Sequence, residues 1–111
     1  MNDRLLSFLG LCRRAGYLLY GAQTAINAMK DGKALLTLRA SDLSPNSYRD
    51  VEFTAGKCGV PMRTLGCTKE QLSAAVGKLC GVVCVTDRGF ADKLLTMINI
   101  NEDTSYIVKE E

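Results

Sequence analysis

The 111-residue chain contains no histidine, and that absence closes off a large share of enzyme chemistry. No Ser-His or Cys-His nucleophile pair can form, and the structural zinc sets that use imidazole reduce to a site built from cysteine alone. Five cysteines are present, Cys12, Cys58, Cys67, Cys80 and Cys84, an odd number without a Cys-x-x-Cys spacing. That pattern favours reduced thiols used as small core hydrophobes over a metal cage, and it predicts neither a bound metal nor a cofactor. Long apolar runs are missing as well. Nothing approaches the roughly 18 apolar residues of a membrane span, and MNDRLL opens with an acid and a base where a signal peptide would place a basic lead and an apolar core. The sequence therefore predicts a cytoplasmic protein with no membrane partner. Also absent are a G-x-x-x-x-G-K-[ST] phosphate loop, an interdomain linker and an internal repeat.

What is present suits one compact unit. Apolar residues make up 47% of the chain, enough for one core and too few in number for two. Residues 1–100 hold 13 Lys or Arg against 8 Asp or Glu, whereas residues 101–111 hold Lys109 against Glu102, Asp103, Glu110 and Glu111. The body is thus mildly basic, which is compatible with a polyanionic partner without establishing one, and the end is acidic. Residues 1–100 are read as the single domain and 101–111 as a frayed tail.

Helical periodicity and punctuation alternate with short apolar runs. Residues 3–14 place Leu5, Leu9 and Cys12 on one stripe before Ala15-Gly16, and residues 22–31 place Ala25, Ala28 and Met29 on one side before Gly32. ALLTLRA, residues 34–40, reads as a buried strand. Ser44 caps and Pro45 opens a third helix running to about Lys57, followed by a strand over Met62–Leu65. Thr68 with Gln71 forms a capping box before Leu72, Ala75 and Val76, and Gly77 closes that helix. GVVCVT, residues 81–86, is a strand covered on both faces, and Asp87 caps a last helix lined by Phe90, Leu94 and Ile98. The alternation predicts an α/β fold, a three-layer α/β/α sandwich around a mostly four-stranded mixed sheet.

One helix start stands out. YGAQTAINAMKDGKA opens on Gly21 and carries Gln23, Thr24 and Asn27 with no charge in its first turn. A helix start has unpaired N–H groups and a partial positive charge, so it can hold a phosphate without a basic side chain.

Beyond that helix, GKA before the first long strand, D-x-S-x-N after it, VP before the next strand, L-x-x-A-x-G-K and VTDRGFA occur in order. Together they resemble the bacterial YlxQ-like branch of the ribosomal proteins L-seven-Ae and L-thirty-e, from about Leu5 to Leu95. The resemblance implies a non-enzymatic RNA-binding protein, whose partners would be a structured RNA of the kink-turn kind, ribosomal in origin, together with ribosomal or translation-factor proteins. In that family the RNA face combines the start of the second helix with the loop before the last strand. The helix pattern is glycine, any residue, Asn-Glu, two residues and Lys, which falls here on Gly21, Gln23, Thr24 and Asn27. Gln23 keeps an amide able to read a base edge, but Thr24 replaces a carboxylate and Asn27 a cation. The loop falls on Lys78, Leu79, Cys80 and Gly81, with Leu79 and Cys80 as apolar surface for an extruded base or, alternatively, as the start of the strand. Lys33, Arg14 and Arg39 are expected to extend a basic rim around Gly21, although helix-end roles also account for Arg14 and Lys33. Tyr17 and Tyr20 can stack a base or simply pack at the helix entry. Asp42, Asp87 and Arg88 lie at strand ends, with Asp87 already explained as a cap and Asp42 as a turn residue. Two other readings stay open: a fold-retaining relative serving as a protein-interaction module, and a thiol enzyme or metal protein built on the cysteines.

Overall fold

A computed structural model describes residues 3–98; the acidic tail reading falls on residues outside that range. Helix α1 (Asp3–Arg14) buries Leu5, Leu9 and Cys12 as their spacing requires, and ends in the basic pair Arg13 and Arg14. A turn at Gly16 leads into β1 (Leu18–Tyr20), then α2 (Ala22–Lys30) and β2 (Leu36–Arg39). Helix α3 (Pro45–Cys58) has Ser44 Oγ accepting from the Ser47 N–H, and β3 (Met62–Thr64) follows. In α4 (Lys69–Val76) both halves of the capping box form: Gln71 N–H donates to Thr68 Oγ1 at 3.2 Å and the Thr68 N–H to Gln71 Oε1 at 2.9 Å. After β4 (Val82–Val85), Asp87 Oδ2 accepts from the Phe90 N–H at 3.0 Å and starts α5, helical from 88 to 98.

The four strands form one sheet in the order β1-β4-β2-β3. Strand β4 is antiparallel to both neighbours, pairing Val83 with Tyr20 on one side and Leu38 on the other, while β2 and β3 are parallel. All four residues of β4 are buried, and alternation divides them. Val83 and Val85, with Leu36 and Leu38 of β2, face the layer of α1, α4 and α5. Val82 and Cys84 face the layer of α2 and α3. This is the three-layer sandwich. The expected strands are present with trimmed ends, and β1 is an additional strand that no periodicity marked.

Four of the five cysteines are buried among apolar side chains, and only Cys58, the last residue of α3, is exposed. Burial pushes the Cys84 thiol up to about 11, and burial followed by the nearby Asp87 charge does the same to Cys12, from an ordinary value of 9.0. No three His, Cys, Asp or Glu residues gather into a metal cage among the described residues. Two outcomes are expected. A thiol reagent should modify Cys58 alone in the native protein and all five cysteines after unfolding, and a chelator should leave the melting temperature unchanged. Because the folded-state values of Cys12 and Cys84 are raised, both thiols are protonated in either state below pH 9. The stability they preserve there should drain away between about pH 9 and pH 11, as the unfolded chain ionises first. Rapid modification of a second cysteine in the native state would contradict this arrangement.

Candidate nucleic-acid interface

The start of α2 and the start of β4 are tied together by backbone. The Gly21 N–H donates to the Val82 carbonyl at 2.8 Å, one step beyond the Tyr20–Val83 pair. Since residues 78–81 lead directly into Val82, that bond brings the glycine-started helix and the preceding loop to one end of the sheet. Gly21 holds φ 99° and ψ 150°, a region open in practice only to glycine. Among the described residues no side chain caps the helix, and no acid lies in its first turn. A Cβ placed at Gly21 would meet nothing nearer than Thr24 Oγ1 at 3.8 Å, so the space before the first amides is open to an anion.

The polar side chains of this start are exposed, and two of them are coupled. Gln23 Nε2 donates to Asn27 Oδ1 at 3.1 Å, one helical turn along, so the Gln23 amide is directed down the helix. Thr24 is exposed beside Gly21.

In the loop, the Ser73 hydroxyl accepts from the Cys80 N–H at 3.0 Å and donates to the Cys80 carbonyl at 3.1 Å, gripping one residue from both sides. Cys80 is thereby turned inward, its thiol raised by burial against the lowering effects of Lys78 and Ser73. Leu79 is turned outward and is 89% exposed. Gly81 allows the chain to pass closely, since a Cβ there would come within 2.9 Å of Leu43 Cδ1. The Lys78 ammonium lies 5.2 Å from the centroid of the half-buried Tyr20 ring. Of the two expected apolar contacts, only Leu79 reaches the surface.

The basic rim divides. Arg39 pairs in register with Val82 and so lies at the Gly21 end. Its Nε donates to Thr64 Oγ1 at 2.9 Å and its guanidinium stacks 4.0 Å over the Tyr48 ring, which directs it toward β3. Lys33 lies beyond the other end of α2, where its N–H donates to the Ala28 carbonyl, about 13 Å of helix away. Arg14 shares that far end, since Tyr17, three residues on, accepts from the Thr86 N–H past the end of β4. Lys33 and Arg14 are therefore separated from Gly21, because β1 carries the chain from the Arg14 end up to Gly21 and α2 carries it back the height of the sheet to Lys33.

Tyr17 packs 5.8 Å from Phe90, itself 5.1 Å from Phe8, in an aromatic row at that far end. Asp42 Oδ1 accepts from the Lys69 N–H at 2.7 Å and Asp87 caps α5, so both carboxylates hold helix starts. Arg88 is paired with Asp92 on the exposed side of α5. One surface aromatic escaped the sequence reading. Phe53 is 70% exposed on α3, out of phase with the buried Val51, Thr54 and Ala55, and that mismatch was its visible signal.

Comparison with known proteins places this geometry. The chain is 32% identical over 92 residues to the RNA-binding protein YlxQ of Bacillus subtilis, covering 82% of this chain and 91% of that one. It is 28% identical over 97 residues to the RNA-binding protein YlxQ of Enterococcus faecium, covering 87% and 93%. A solved protein of unknown function from Bacillus halodurans superposes with a TM-score of 0.83 at 30% identity, covering 88% of this chain and 99% of that one. The Giardia lamblia 15.5kD RNA binding protein shares the fold, with a TM-score of 0.69 at 19% identity, covering 88% and 87%. Residues 3–95 match the family described as Ribosomal protein L7Ae/L30e/S12e/Gadd45. With nearly the whole described fold inside that match, the chain belongs to the L7Ae/L30e/S12e/Gadd45 family.

Proposed function

We propose that this chain is a non-catalytic RNA-binding protein acting in the cytoplasm alongside the translation machinery, with a structured RNA of the kink-turn kind as its partner. The observation that carries the reading is the Gly21–Val82 backbone bond, which joins an open, uncapped helix start to the exposed Leu79. In this reading the first amides of α2 hold a phosphate, Gln23 reads a base edge and Leu79 packs an extruded base, while Lys78 adds charge beside the backbone. Membership of the family and the names of the two YlxQ relatives support it. No described helix is long and apolar enough to cross a membrane.

Titration of a kink-turn RNA over a salt series tests the assignment. Gln23→Ala is expected to cost about 1–3 kcal/mol of binding if the amide contacts a base edge in two directions. Gly21→Val should weaken binding by closing the approach to the helix start, and should also lower the melting temperature, because valine at φ 99° is strained by about 1–3 kcal/mol. Silence of both changes against kink-turn RNA and against cellular RNA would remove the helix start from the proposal. One observation favours a second reading, a protein-interaction module with a degenerate RNA site: Asn27 already occupies the Gln23 amide. Crosslinking in cells, with Gly21 to Asn27 recovered in an RNA-linked peptide, separates the two.

A further inference from the structure

Helices α2 and α3 both run away from the Gly21 end, since β1 and β2 finish there and β2 and β3 begin at the other. Between them lies an open groove of about 720 Å³ that starts at Gln23 and ends at Lys57 and Cys58. Lys30 stands on the α2 wall, Arg49 and Lys57 on the α3 wall, and Asp50 is the one carboxylate in the lining among the described residues. None of the three cations is ion-paired within the described residues. Half-buried Ile26 and the buried Thr54 line the space between the walls, and Phe53 projects from α3 with 70% of its surface exposed. Cations on both walls, an exposed aromatic ring and an entrance shared with the Gly21 face form the combination that binds single-stranded nucleic acid: charge for the backbone, a ring for a base.

Building on the RNA reading of the Gly21 face, we propose that this groove carries the single-stranded continuation of the same RNA, with phosphates near Arg49, Lys30 and Lys57 and one unpaired base stacked on Phe53. From Gln23 to Lys30 the α2 wall spans about 10 Å, the reach of a short run of unpaired nucleotides. The groove thereby selects RNAs in which an unpaired strand leaves the structured element. A protein would need a complement at once acidic and apolar to fill the same space, and the shared entrance at Gln23 favours the strand that the helix start already holds.

Two kink-turn RNAs separate the possibilities, one ending flush and one extended by on the order of six unpaired nucleotides, within the range known for single-strand sites. The extended RNA should bind at least about five-fold more tightly, and Phe53→Ala should remove that gain, a stacked base on an aromatic ring being worth no less. Lys57→Glu should also weaken the extended complex and reduce its salt slope by about 0.7. Neither change should affect the flush RNA or the melting temperature, since both side chains are at the surface. Cys58, the exposed thiol at the far end of the groove, provides a direct check: a tethered iron chelate there should cleave the extension and spare the flush RNA. Equal affinity for both RNAs, or no cleavage from Cys58, overturns the groove assignment while binding of the flush RNA leaves the Gly21 face standing. Binding of neither RNA defeats both. If the groove variants leave RNA binding intact and instead abolish binding of a purified protein partner, the groove belongs to that protein.

Discussion

Replacing Thr24 with Glu and Asn27 with Lys together should raise affinity for kink-turn RNA by about ten-fold or more. Two physical gains combine. Glu at position 24 supplies an acceptor for a guanine edge, and a good base-edge contact discriminates by about 1–3 kcal/mol. Lys at position 27 adds a phosphate contact, which should steepen the salt dependence by about 0.7–0.9 on a logarithmic scale. The structure adds a third effect. Asn27 Oδ1 accepts from Gln23 Nε2, so Asn27→Lys also frees the Gln23 amide to turn toward the ligand. Asn27→Ala isolates that last effect, since it releases Gln23 without adding charge. The double variant should be no less stable than the parent, because an acid in the first turn of α2 complements the helix start by about 0.3–1 kcal/mol. Binding curves at several salt concentrations, with melting measured in parallel, decide the matter. If the double variant binds no better than the parent, the helix start does not contact RNA in the manner of its relatives.

The largest stability effect is expected one layer deeper. Leu38 is fully buried in β2 and faces α1, α4 and α5, so Leu38→Ala should cost about 2–5 kcal/mol through lost burial and the cavity left behind. Its neighbour Thr37 provides the contrast. Thr37 lies between Cys84 and Met62 in register and is equally buried, yet its Oγ1 has no hydrogen-bond partner among the described residues. Thr37→Val retains the shape and removes an unpaired hydroxyl, so it should be neutral or stabilising by about 1 kcal/mol. Denaturant titrations of the two variants should therefore move in opposite directions, or one should not move. A strong loss with Thr37→Val would mean that the hydroxyl has a partner in solution.

How much of this was legible in the sequence depended on whether the cause was local. Ser44-Pro45, the Thr68–Gln71 box, Gly77 and Asp87 marked helix limits because the atoms that satisfy each terminus lie within a few residues. The two faces of β4 were legible as an unbroken apolar run. Leu18–Tyr20 was not, because three residues are too few for a period to emerge and their strand character comes from the β4 ladder. The site divided along the same line. Gly21 and the Lys78–Gly81 loop became candidates through the helix start and motif order, whereas the separation of Lys33 and Arg14 from Gly21 depends on the directions in which α2 and β1 cross the sheet, which spacing alone does not encode. The Gln23–Asn27 bond is compatible with their four-residue spacing, although spacing alone does not show that the two side chains pair with each other. The inward turn of Cys80 required the Ser73 clasp, a contact seven residues apart.

The central place of β4 has a consequence in time. Among the described residues the strand made last is the one that β1 and β2 both need, so neither antiparallel ladder can close until Val82–Val85 has been synthesised. Between Leu18 and Val85 a ribosome adding ~5–20 residues per second takes roughly 3–13 s, during which β1 has no partner and the apolar face of β2 is open on one side. A chain arrested after Gly81 should therefore expose unpaired, protease-sensitive strands, and limited proteolysis of chains ending at Gly81 and at Ile98 should show the first cut rapidly and the second resistant.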